Sequence, residues 1–441
     1  MEAVQQQAKQ QQAQGQETKQ QEAPRQEAKA HEAGARIAAL LGSLVTPAVS
    51  ANPYPVFAQL RDLGPVRWKA AGGVPVLTGY EDCAALVRDQ EFGSQSPEWC
   101  DQVTPGWREH PARVATFEAM LFRDPPDHTR LRRLVSAAFT PRQAERMRGD
   151  VAGLCTRTLD QLADAGGDGS LVDLHDFLAA RLPIAVIASL VGVPEADWPL
   201  LRGPMSALLK LVELGITKQM VADADAAAIT LDAYFRELAA DRRASPGPDL
   251  ASTIVAAQHA SRPGADAFTD LEVVQLLIFL FMAGVDTMTN LLANGTLALL
   301  ASPQQARLVA DGAVPLDNLV DEVLRYDTPV QLVGRVAAIG KVIGDVEVRP
   351  GEVVLAMIGA GNRDPARFER PDSFDVTRKG TAPLSFGGGI HRCLGAPLAR
   401  VEAGEFLTGL FRRFPKVSLA GEPVRQGVVF RGFSYLPITL R

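Results

Sequence analysis

The chain has 441 residues, 46% of them hydrophobic and 22% charged, which is the composition of an ordinary globular protein. Its formal net charge of −6 gives no reason to expect a nucleic acid as partner. The four cysteines are scattered and form no Cys-x-x-Cys pair, so a disulfide framework or a zinc cluster is not expected and a reducing cytoplasm fits.

Residues 1–35 differ in composition from the rest of the chain. Gln, Glu, Ala and Lys dominate there, and such a segment cannot build a core, so we predict a disordered or loosely helical tail. It has no apolar stretch of the kind found in secretory signals. The longest apolar run, Leu276 to Gly284, is too short to span a bilayer. We therefore expect one domain over 36–441 and no membrane segment.

Helical patterns dominate the first two thirds of that domain. The sequence predicts a short helix over Pro53–Leu63, a strand pair from Val66–Trp68 and Val74–Leu77, and a second helix over Glu81–Arg88. From Ala112 to Leu300 apolar residues recur mostly at i, i+3 and i+4, which is the spacing of one helix face.

Strand patterns are confined to short segments of the last third. Gly334–Val348 and Val353–Ile358 have strand character, with a turn at Arg349–Glu352 between them. A final helix is predicted over Pro397–Phe414. The predicted fold class is therefore mainly α, with small β ribbons.

One cysteine stands in a glycine-rich segment. Three consecutive glycines, 387–389, permit backbone conformations that a Cβ would forbid, and Cys393 follows them just before the helix predicted from Pro397. The helix dipole and the nearby basic His391 favour a thiolate there, as a ligand of a flat cofactor would require. A buried structural cysteine and a weak phosphate-binding loop are the alternatives, although the latter lacks the GxxxxGKS/T pattern.

A second candidate site lies inside the apolar helix predicted over Leu271–Leu300. Gly284 costs about 1 kcal/mol relative to Ala within a helix, a buried Asp286 needs a partner, and Thr287 can bond a backbone carbonyl. Together with Ala283 they indicate a groove in the helix that can bind dioxygen. The acid and the alcohol beside this groove can relay protons to it. The alternative is a helix end capped by the aspartate, but the apolar pattern continues beyond it.

Two charged pairs have helical spacing. Glu322 and Arg325 stand at i, i+3 and can pair on one helix face. His128 and Arg132 stand at i, i+4 and can donate to one anionic group. Each pair is also compatible with a solvated helix surface.

Taken together, these motifs resemble those of the cytochromes P-450, haem-thiolate monooxygenases of the soluble bacterial type. The residues that match are Phe386, Gly389, His391, Cys393 and Gly395 of the haem loop, Ala283, Gly284, Asp286 and Thr287 of the oxygen-activating helix, Glu322 and Arg325 of the structural helix, and His128 and Arg132 of the propionate-binding helix. The resemblance covers about residue 36 to the end. It implies a triangular prism with haem b between the long central helix and the helix that follows the cysteine loop.

The resemblance also implies a role for each matched residue. Cys393 is the expected axial ligand of the haem iron, with Phe386 packed beside its sulfur. Asp286 and Thr287 are the expected acid–alcohol pair that delivers protons during activation of O2. Glu322 and Arg325 are expected to be structural. The expected donors to the haem propionates are His128, Arg132, Arg335 and His391.

One departure from the family lies just before the haem loop, in a segment that often reads Pro-x-Arg-Phe. Residues 371–374 read Pro-Asp-Ser-Phe, so Ser373 stands where the family has arginine. Either Arg378 takes over the ionic contact with the Glu322–Arg325 pair, or the pair is stable without one.

By analogy, apolar side chains line a substrate pocket above the haem, although each of them can equally belong to the core. They are Phe279, Met282, Ala283, Val330, Leu332, Val333 and Phe433. Segments 94–122 and 200–220 are expected to close this pocket. It implies a hydrophobic substrate, such as a polyketide, macrolide, macrolactam, terpenoid or fatty acyl group, hydroxylated or epoxidised in bacterial secondary metabolism.

The sequence has no flavin, nicotinamide or iron–sulfur motif, so electrons from NAD(P)H are expected through an external ferredoxin and its reductase. A basic patch can steer an acidic ferredoxin or an acyl carrier protein, or can be a solvated surface. Its predicted members are Arg130, Arg133, Arg392, Arg412 and Arg413. We expect a monomer.

Two other functions stay open at the level of the sequence. One is a haem-thiolate enzyme that performs C–C coupling, dehydrogenation or peroxide-driven oxidation. The other is a non-catalytic scaffold of the same fold that only recruits partners.

Overall fold

The computed structural model of the chain describes residues 34–63, 74–260, 268–344 and 346–441. Helix dominates them, beginning with a helical segment over 34–43. The further helices are α1 (Pro47–Ala51), α2 (Tyr54–Asp62), α3 (Tyr80–Leu86), α4 (Pro97–Val103), α5 (Pro111–Phe117), α6 (Asp127–Ser136), α7 (Pro141–Gly166), α8 (Leu174–Ala179), α9 (Leu182–Val191), α10 (Trp198–Leu209), α11 (Lys218–Ala244), α12 (Leu250–Ala260), α13 (Asp270–Leu300), α14 (Pro303–Ala310), α15 (Leu316–Tyr326), α16 (Ile358–Gly361) and α17 (Ala396–Arg413).

The strands are short and form small sheets. They are β1 (Val76–Leu77), β2 (Phe92–Gly93), β3 (Val172–Asp173), β4 (Leu332–Ala337), β5 (Lys341–Ile343), β6 (Val346–Val348), β7 (Val353–Met357), β8 (Ser418–Leu419), β9 (Val424–Gln426), β10 (Gly432–Tyr435) and β11 (Pro437–Thr439). The largest sheet has the order β1-β7-β4-β2, in which only β1 and β7 are parallel. The prediction of a mainly helical chain with small β ribbons is confirmed.

Helix α13 runs through two hydrophobic cores. Thr269 and Glu272 form a capping box at its start, in which each side chain accepts a backbone N–H of the other. The first half of α13 packs with α9, α11 and α12 in one core. The second half packs with α7, α15 and α17 in the other. Because the helix contacts protein on most sides, its sequence is apolar nearly all round.

Two stretches, Leu174–Val191 and Asp270–Leu300, reach the length and hydropathy of a membrane span among the described residues. The short length of the longest uninterrupted apolar run, Leu276 to Gly284, therefore does not by itself exclude a membrane span. Inside the fold, 67% and 56% of the residues in the most apolar windows of these two stretches are buried. Burial in the cores accounts for their composition, because a core helix needs the same residues as a spanning one.

The helix predictions hold near both ends of the chain, where α2 and α17 begin and end within one residue of the predicted limits. The strand predicted at Val74–Leu77 is shorter and pairs with β7, so that Val76 lies opposite Leu355. Its predicted partner, Val66–Trp68, lies outside the described residues. So does the predicted tail, except for residues 34 and 35, which are helical.

Glu402 is a carboxylic acid buried on α17 without a compensating charge. Glu402 is 2% exposed, and its Oε1 atom has no hydrogen-bond partner among the residues that the structure describes. Burial raises the pKa of Glu402 from 4.5 to about 8. At neutral pH the folded protein therefore holds this group in its protonated form.

This proton makes the stability depend on pH. Between about pH 4.5 and 8 the folded chain keeps the Glu402 proton and the unfolded chain releases it, so the free energy of unfolding falls as the pH rises. We predict that Glu402→Gln, which cannot ionise, flattens this dependence and is more stable than the wild type at pH 8. Urea unfolding at pH 5 and pH 8 measures both quantities. Identical pH slopes for the two proteins would contradict the prediction.

Candidate functional site

The glycine-rich loop owes its shape to a close approach to α3. Gly387 and Gly389 adopt φ values of +64° and +61°, which side chains other than glycine rarely accept. A Cβ on Gly389 would lie 2.8 Å from the carbonyl oxygen of Val87, and one on Gly388 would lie 2.9 Å from Cγ of Arg88. Glycines at these positions allow the loop to lie against the chain that leaves α3.

The loop holds Cys393 at the start of α17. The N–H of Cys393 donates to the carbonyl of Phe386 over 2.8 Å. Surrounding protein raises the pKa of the thiol, while the backbone N–H groups of Gly395 and Ala396 act in the opposite direction. The side chain nevertheless keeps exposed surface, which is the more direct indication that its sulfur can meet a ligand.

A fully buried ion pair stands behind this loop. Both side chains are 0% exposed, and Arg325 donates from Nε and Nη2 to the two carboxylate oxygens of Glu322 over 2.7 and 2.8 Å. The remaining N–H groups of Arg325 donate to the carbonyls of Asn362, Pro371 and Ser373. All five N–H groups of the guanidinium are thereby satisfied.

The departure at Ser373 has a structural answer. Ser373 takes part through its backbone carbonyl, which accepts from Arg325 over 2.9 Å. Arg378 supplies a second cation, with its Nε 3.3 Å from Oε2 of Glu322. The other oxygen of Glu322 accepts the N–H of Asp375 over 2.8 Å. The carboxylate is thus shared between two guanidinium groups and the backbone.

Asn362 links this network to the cysteine loop. Its amide oxygen accepts the N–H of Leu384 over 2.7 Å, and its amide nitrogen donates to the hydroxyl of Ser385 over 2.9 Å. The Ser385 hydroxyl in turn donates to the carbonyl of Leu324, next to Arg325. The glycine loop is therefore fixed to α15 by hydrogen bonds as well as by packing.

Four basic side chains converge beside the loop. The rings of His128 and His391 lie 4.3 Å apart between centroids. Arg132 donates from Nη2 to the carbonyl of Arg392 over 2.6 Å. The positive charges of Arg132 and Arg335 both act on the two histidines and lower their pKa values.

Burial and positive charge dominate the surroundings of His128. Burial lowers the pKa of His128 to about 4, and the neighbouring positive groups add to that effect. Although His128 is buried, its Nδ1 atom has no hydrogen-bond partner in the described part of the chain. Asp124, 3.9 Å from Nε2 of His391, is a nearby carboxylate. A buried, unpartnered ring nitrogen among cationic groups indicates a place for an anionic ligand.

Helix α13 carries the acid and the alcohol. Burial raises the pKa of Asp286 to about 6, opposed by the positive charges of Arg202 and Lys210. The Thr287 hydroxyl donates to the carbonyl of Ala283 over 2.7 Å. The pKa of Asp286 is therefore closer to neutral pH than that of an ordinary aspartate.

Gly284 has a role that the sequence analysis did not foresee. A Cβ at this position would lie 3.1 Å from Cγ1 of Ile187 on α9. The missing side chain thus lets α9 pack closely against α13. The groove that we predicted at Gly284 is, on this side, filled by Ile187.

The predicted pocket residues fall into two groups. Phe279, Met282, Ala283, Val330 and Val333 are half-buried and keep surface for a ligand. The other two differ from the prediction because they belong to the apolar cores. Phe433 is fully buried in the core of α7, α13 and α17, and Leu332 packs in the cluster around α2.

A cleft of about 570 Å³ opens beside Cys393. Its lining includes four arginines, Arg132, Arg148, Arg392 and Arg400, and two acidic residues, Glu145 and Asp317. Arg392 is exposed there. The basic patch predicted from the sequence is therefore present in part, with members that the sequence analysis did not name.

Arg130 does not belong to that patch. It pairs with Glu272 at the start of α13 and with Asp127, and it stacks 5.0 Å from the ring centroid of Phe268. Arg413 pairs with Asp160 on α7. Sequence spacing shows which way a helical residue points, but the neighbouring element decides whether its charge is neutralised.

Some contacts of the site leave no pattern in the sequence. Asp124 accepts from the N–H and the hydroxyl of Ser94 over 2.9 and 3.1 Å, and the same hydroxyl lies 3.2 Å from Nε2 of His391. The positive charge of Arg202 on α10 acts on Asp286, where it opposes the effect of burial on the pKa. These partners are far apart in the chain, so only the fold brings them together.

Comparison with known proteins identifies the class of protein. The sequence pattern of the family described as cytochrome P-450 matches residues 315–425. The biotin biosynthesis cytochrome P-450 of Bacillus subtilis is 34% identical over 392 residues, 88% of this chain and 96% of that protein. The 6-deoxyerythronolide B hydroxylase of Saccharopolyspora erythraea is 36% identical over 400 residues, 88% of this chain and 96% of that protein.

A solved structure agrees with these sequence relatives. P450BioI, in complex with an acyl carrier protein that bears hexadec-9Z-enoic acid, superposes with a TM-score of 0.81 and 32% identity, covering 89% of this chain and 100% of that one. The chain belongs to the cytochrome P-450 family and has its fold. The family works with haem and O2, and its bacterial relatives include, besides the hydroxylase, the cytochrome P450 monooxygenase PikC of Streptomyces venezuelae.

The residues present fit a haem. Its propionates are anionic, and they would provide the acceptor that Nδ1 of His128 lacks. The exposed sulfur of Cys393 lies at the end of a loop whose N–H groups and neighbouring helix support a thiolate. The donor set is therefore the one that a thiolate-ligated haem requires.

Proposed function

We propose that this protein is a haem-dependent monooxygenase that inserts one oxygen atom of O2 into a hydrophobic small molecule, by hydroxylation or epoxidation. The observation that carries the proposal is the joint presence of two features. One is an exposed Cys393 beside four converging basic groups, among which Nδ1 of His128 has no partner. The other is the presence on α13 of the Asp286 carboxyl, whose pKa is about 6, and of the Thr287 hydroxyl.

The chain's own groups have distinct tasks in this proposal. Cys393 would ligate the haem iron, with Phe386 preceding it in the loop that Gly387 and Gly389 allow. His128, Arg132, Arg335 and His391 would hold the propionates. Bound haem would supply the activation of O2. Glu322, Arg325 and Arg378 hold the loop in place.

Two side chains of α13 would supply the protons. With a pKa of about 6, the Asp286 carboxyl can take up and release a proton near neutral pH, as a relay group must. The Thr287 hydroxyl, bonded to the carbonyl of Ala283, can exchange that bond for one toward the reacting oxygen. Consecutive residues on a helix point in different directions, so a proton passing between these two side chains needs a bridging group such as a water molecule.

We predict that Thr287→Val lowers the product formed per NAD(P)H consumed by about tenfold or more, because the relay hydroxyl is lost while the shape is kept. Thr289→Val is the matched control, since the Thr289 hydroxyl makes the same bond, to the carbonyl of Val285, at a fully buried position. Product yield with ¹⁸O2, ferredoxin and reductase measures the coupling and the source of the oxygen.

Four outcomes, in that experiment or in parallel assays with peroxide and with haem, would contradict the proposal. Equal coupling in the two variants would remove Thr287 from proton delivery. Product without ¹⁸O would favour C–C bond formation or dehydrogenation. Turnover with peroxide alone would favour a peroxide-driven enzyme. A protein that takes up no haem would be a scaffold.

For the substrate we propose a polyketide, a macrolide or a related natural product. The half-buried residues of the predicted pocket are apolar, as a hydrophobic ligand requires. The named activity of the Saccharopolyspora relative is hydroxylation of 6-deoxyerythronolide B, and another relative is a polyketide biosynthesis cytochrome P-450. Spectral titration with macrolactones, terpenoids and fatty acids tests this class, and failure of all macrolactones to bind would contradict it.

Electrons and tethered substrates require partner proteins. We propose that a ferredoxin docks at the cleft beside Cys393, where Arg392 is exposed and Arg132, Arg148 and Arg400 lie close by. An acyl carrier protein is the alternative partner, as in the P450BioI complex. Arginines that already have acidic partners contribute less to such a surface, so Arg392 is the central residue of this docking site.

We predict that rising salt slows electron transfer from ferredoxin, because screening weakens attraction between exposed charges. Arg392→Glu should lower the rate at low salt to the high-salt level of the wild type. Stopped-flow reduction of the haem measures this rate, with dithionite reduction as the control. Equal rates for Arg392→Glu and wild type at low salt would exclude this docking face.

A further inference from the structure

The connection between α10 and α11 carries a carboxylate that is bonded to a distant loop. A 3₁₀ turn over Lys210–Val212 ends at Glu213, and α11 begins only after its cap at Thr217. The loop between β9 and β10, residues 427–431, lies opposite Glu213. The two segments are more than 200 residues apart in the chain.

Glu213 accepts three consecutive backbone N–H groups from that loop. One carboxylate oxygen, Oε2, accepts from Val428 and Val429 over 2.9 and 3.0 Å, and Oε1 accepts from Phe430 over 2.7 Å. Successive backbone N–H groups that point to one place form a concave anion site. Hydrogen bonds to an ionised carboxylate are also stronger than those between neutral groups.

The loop adopts its shape because residue 427 is glycine. Gly427 has φ +79°, and a Cβ there would lie 2.0 Å from the carbonyl oxygen of Phe430. The same Cβ would lie 3.1 Å from Oε1 of Glu213. The tight turn that collects the three N–H groups therefore depends on this glycine.

The other side of the loop is fixed to the wall of the predicted pocket. Val429 accepts the N–H of Gln331 through its carbonyl over 2.8 Å, and the N–H of Arg431 donates to the carbonyl of Pro329 over 2.7 Å. Phe430 and Val330 form a β-bridge. The chain around Val330 is thus joined through this loop to Glu213.

The residues after Glu213 contribute little packing. Leu214 and Ile216 are each 44% exposed, and the glycine between them has φ +78°. A connection with exposed apolar side chains and a left-handed glycine gains little from burial. The three bonds of Glu213 are therefore a principal attachment of this connection to the body of the protein.

We propose that Glu213 is a latch, which holds the α10–α11 connection against the 427–431 loop and must release it before a bulky ligand can enter or leave the pocket. The proposal rests on the proposed function in taking the chain around Val330 as a wall of the ligand pocket. Glu213 acts by positioning the connection and touches no reacting atom. Without the latch the connection opens more easily, whether or not a ligand is bound. The rates of ligand entry and exit therefore rise together, and the affinity changes less than either rate.

The first test uses the protein without ligand. Glu213→Gln keeps the size of the side chain but loses the charge and one acceptor oxygen. We expect hydrogen exchange at the amides of Val428, Val429 and Phe430 to become about tenfold faster or more, with an unchanged melting temperature. Glu237→Gln, an exposed glutamate on α11, is the matched control. Unchanged exchange at the three amides would show that no latch exists.

The second test measures ligand exchange in the haem-loaded protein. Econazole, which is bound in a solved structure of the related CYP164A2 of Mycobacterium smegmatis, is the bulky probe. Imidazole is a small probe that needs no wide opening. We expect Glu213→Gln to raise the association and dissociation rates of econazole together by about fivefold or more, and to leave those of imidazole unchanged. Gly427→Ala, which disrupts the acceptor turn, should have the same effect and add nothing to Glu213→Gln in the double variant.

The outcomes separate the latch from the proposed function. Faster amide exchange with unchanged econazole rates would overturn the gating role. Equal acceleration of imidazole and econazole would mean a general loosening of the fold, which also overturns it. If neither azole binds, the proposed haem function fails, and the amide exchange alone decides whether Glu213 fastens the connection.

Discussion

The buried pair of Glu322 and Arg325 is the constraint on which the rest of the site depends. Two charges removed from water are costly unless every donor and acceptor has a partner, and loss of one member typically costs about 3–5 kcal/mol. Here the guanidinium uses its last N–H groups on the carbonyls of Asn362, Pro371 and Ser373. The pair therefore specifies the path of the chain that leads to the cysteine loop.

The carboxyl-terminal region is organised by a second buried carboxylate. Asp327 accepts from Tyr54 and from Arg431 over 2.7 Å each, and from Arg425 over 2.6 Å. Although burial alone would raise the pKa of Asp327, the two guanidinium groups hold it well below its ordinary range. Arg431 also donates to the carbonyls of residues 50 and 51, so the aspartate connects both ends of the fold.

These networks divide the molecule by rigidity. The cysteine loop is fixed from behind by fully buried, fully satisfied polar groups, as a metal ligand needs if its position is to stay constant. The α10–α11 connection, by contrast, is bonded to the 427–431 loop through one half-buried carboxylate and carries exposed apolar residues. A fixed cofactor side and a releasable outer side are compatible with a large, hydrophobic substrate.

How much could be predicted from the sequence depended on the range of the interaction. The glycines around Cys393, the periodicity of α13 and the spacing of Glu322 and Arg325 are local, and the structure places helix, loop and ion pair accordingly. Burial was harder to foresee: Phe433 looked like a pocket residue but lies in the core. Contacts between distant segments, such as the three N–H groups on Glu213, have no local pattern at all.

The most direct test of the account is the absorption spectrum of the reduced, carbon-monoxide-treated protein. If Cys393 ligates haem iron through its thiolate, the wild type and a Cys155→Ala control will show a strongly red-shifted Soret band, and Cys393→Ser will lose it. A Cys393→Ser variant with the wild-type haem content and the same shifted band would contradict the account.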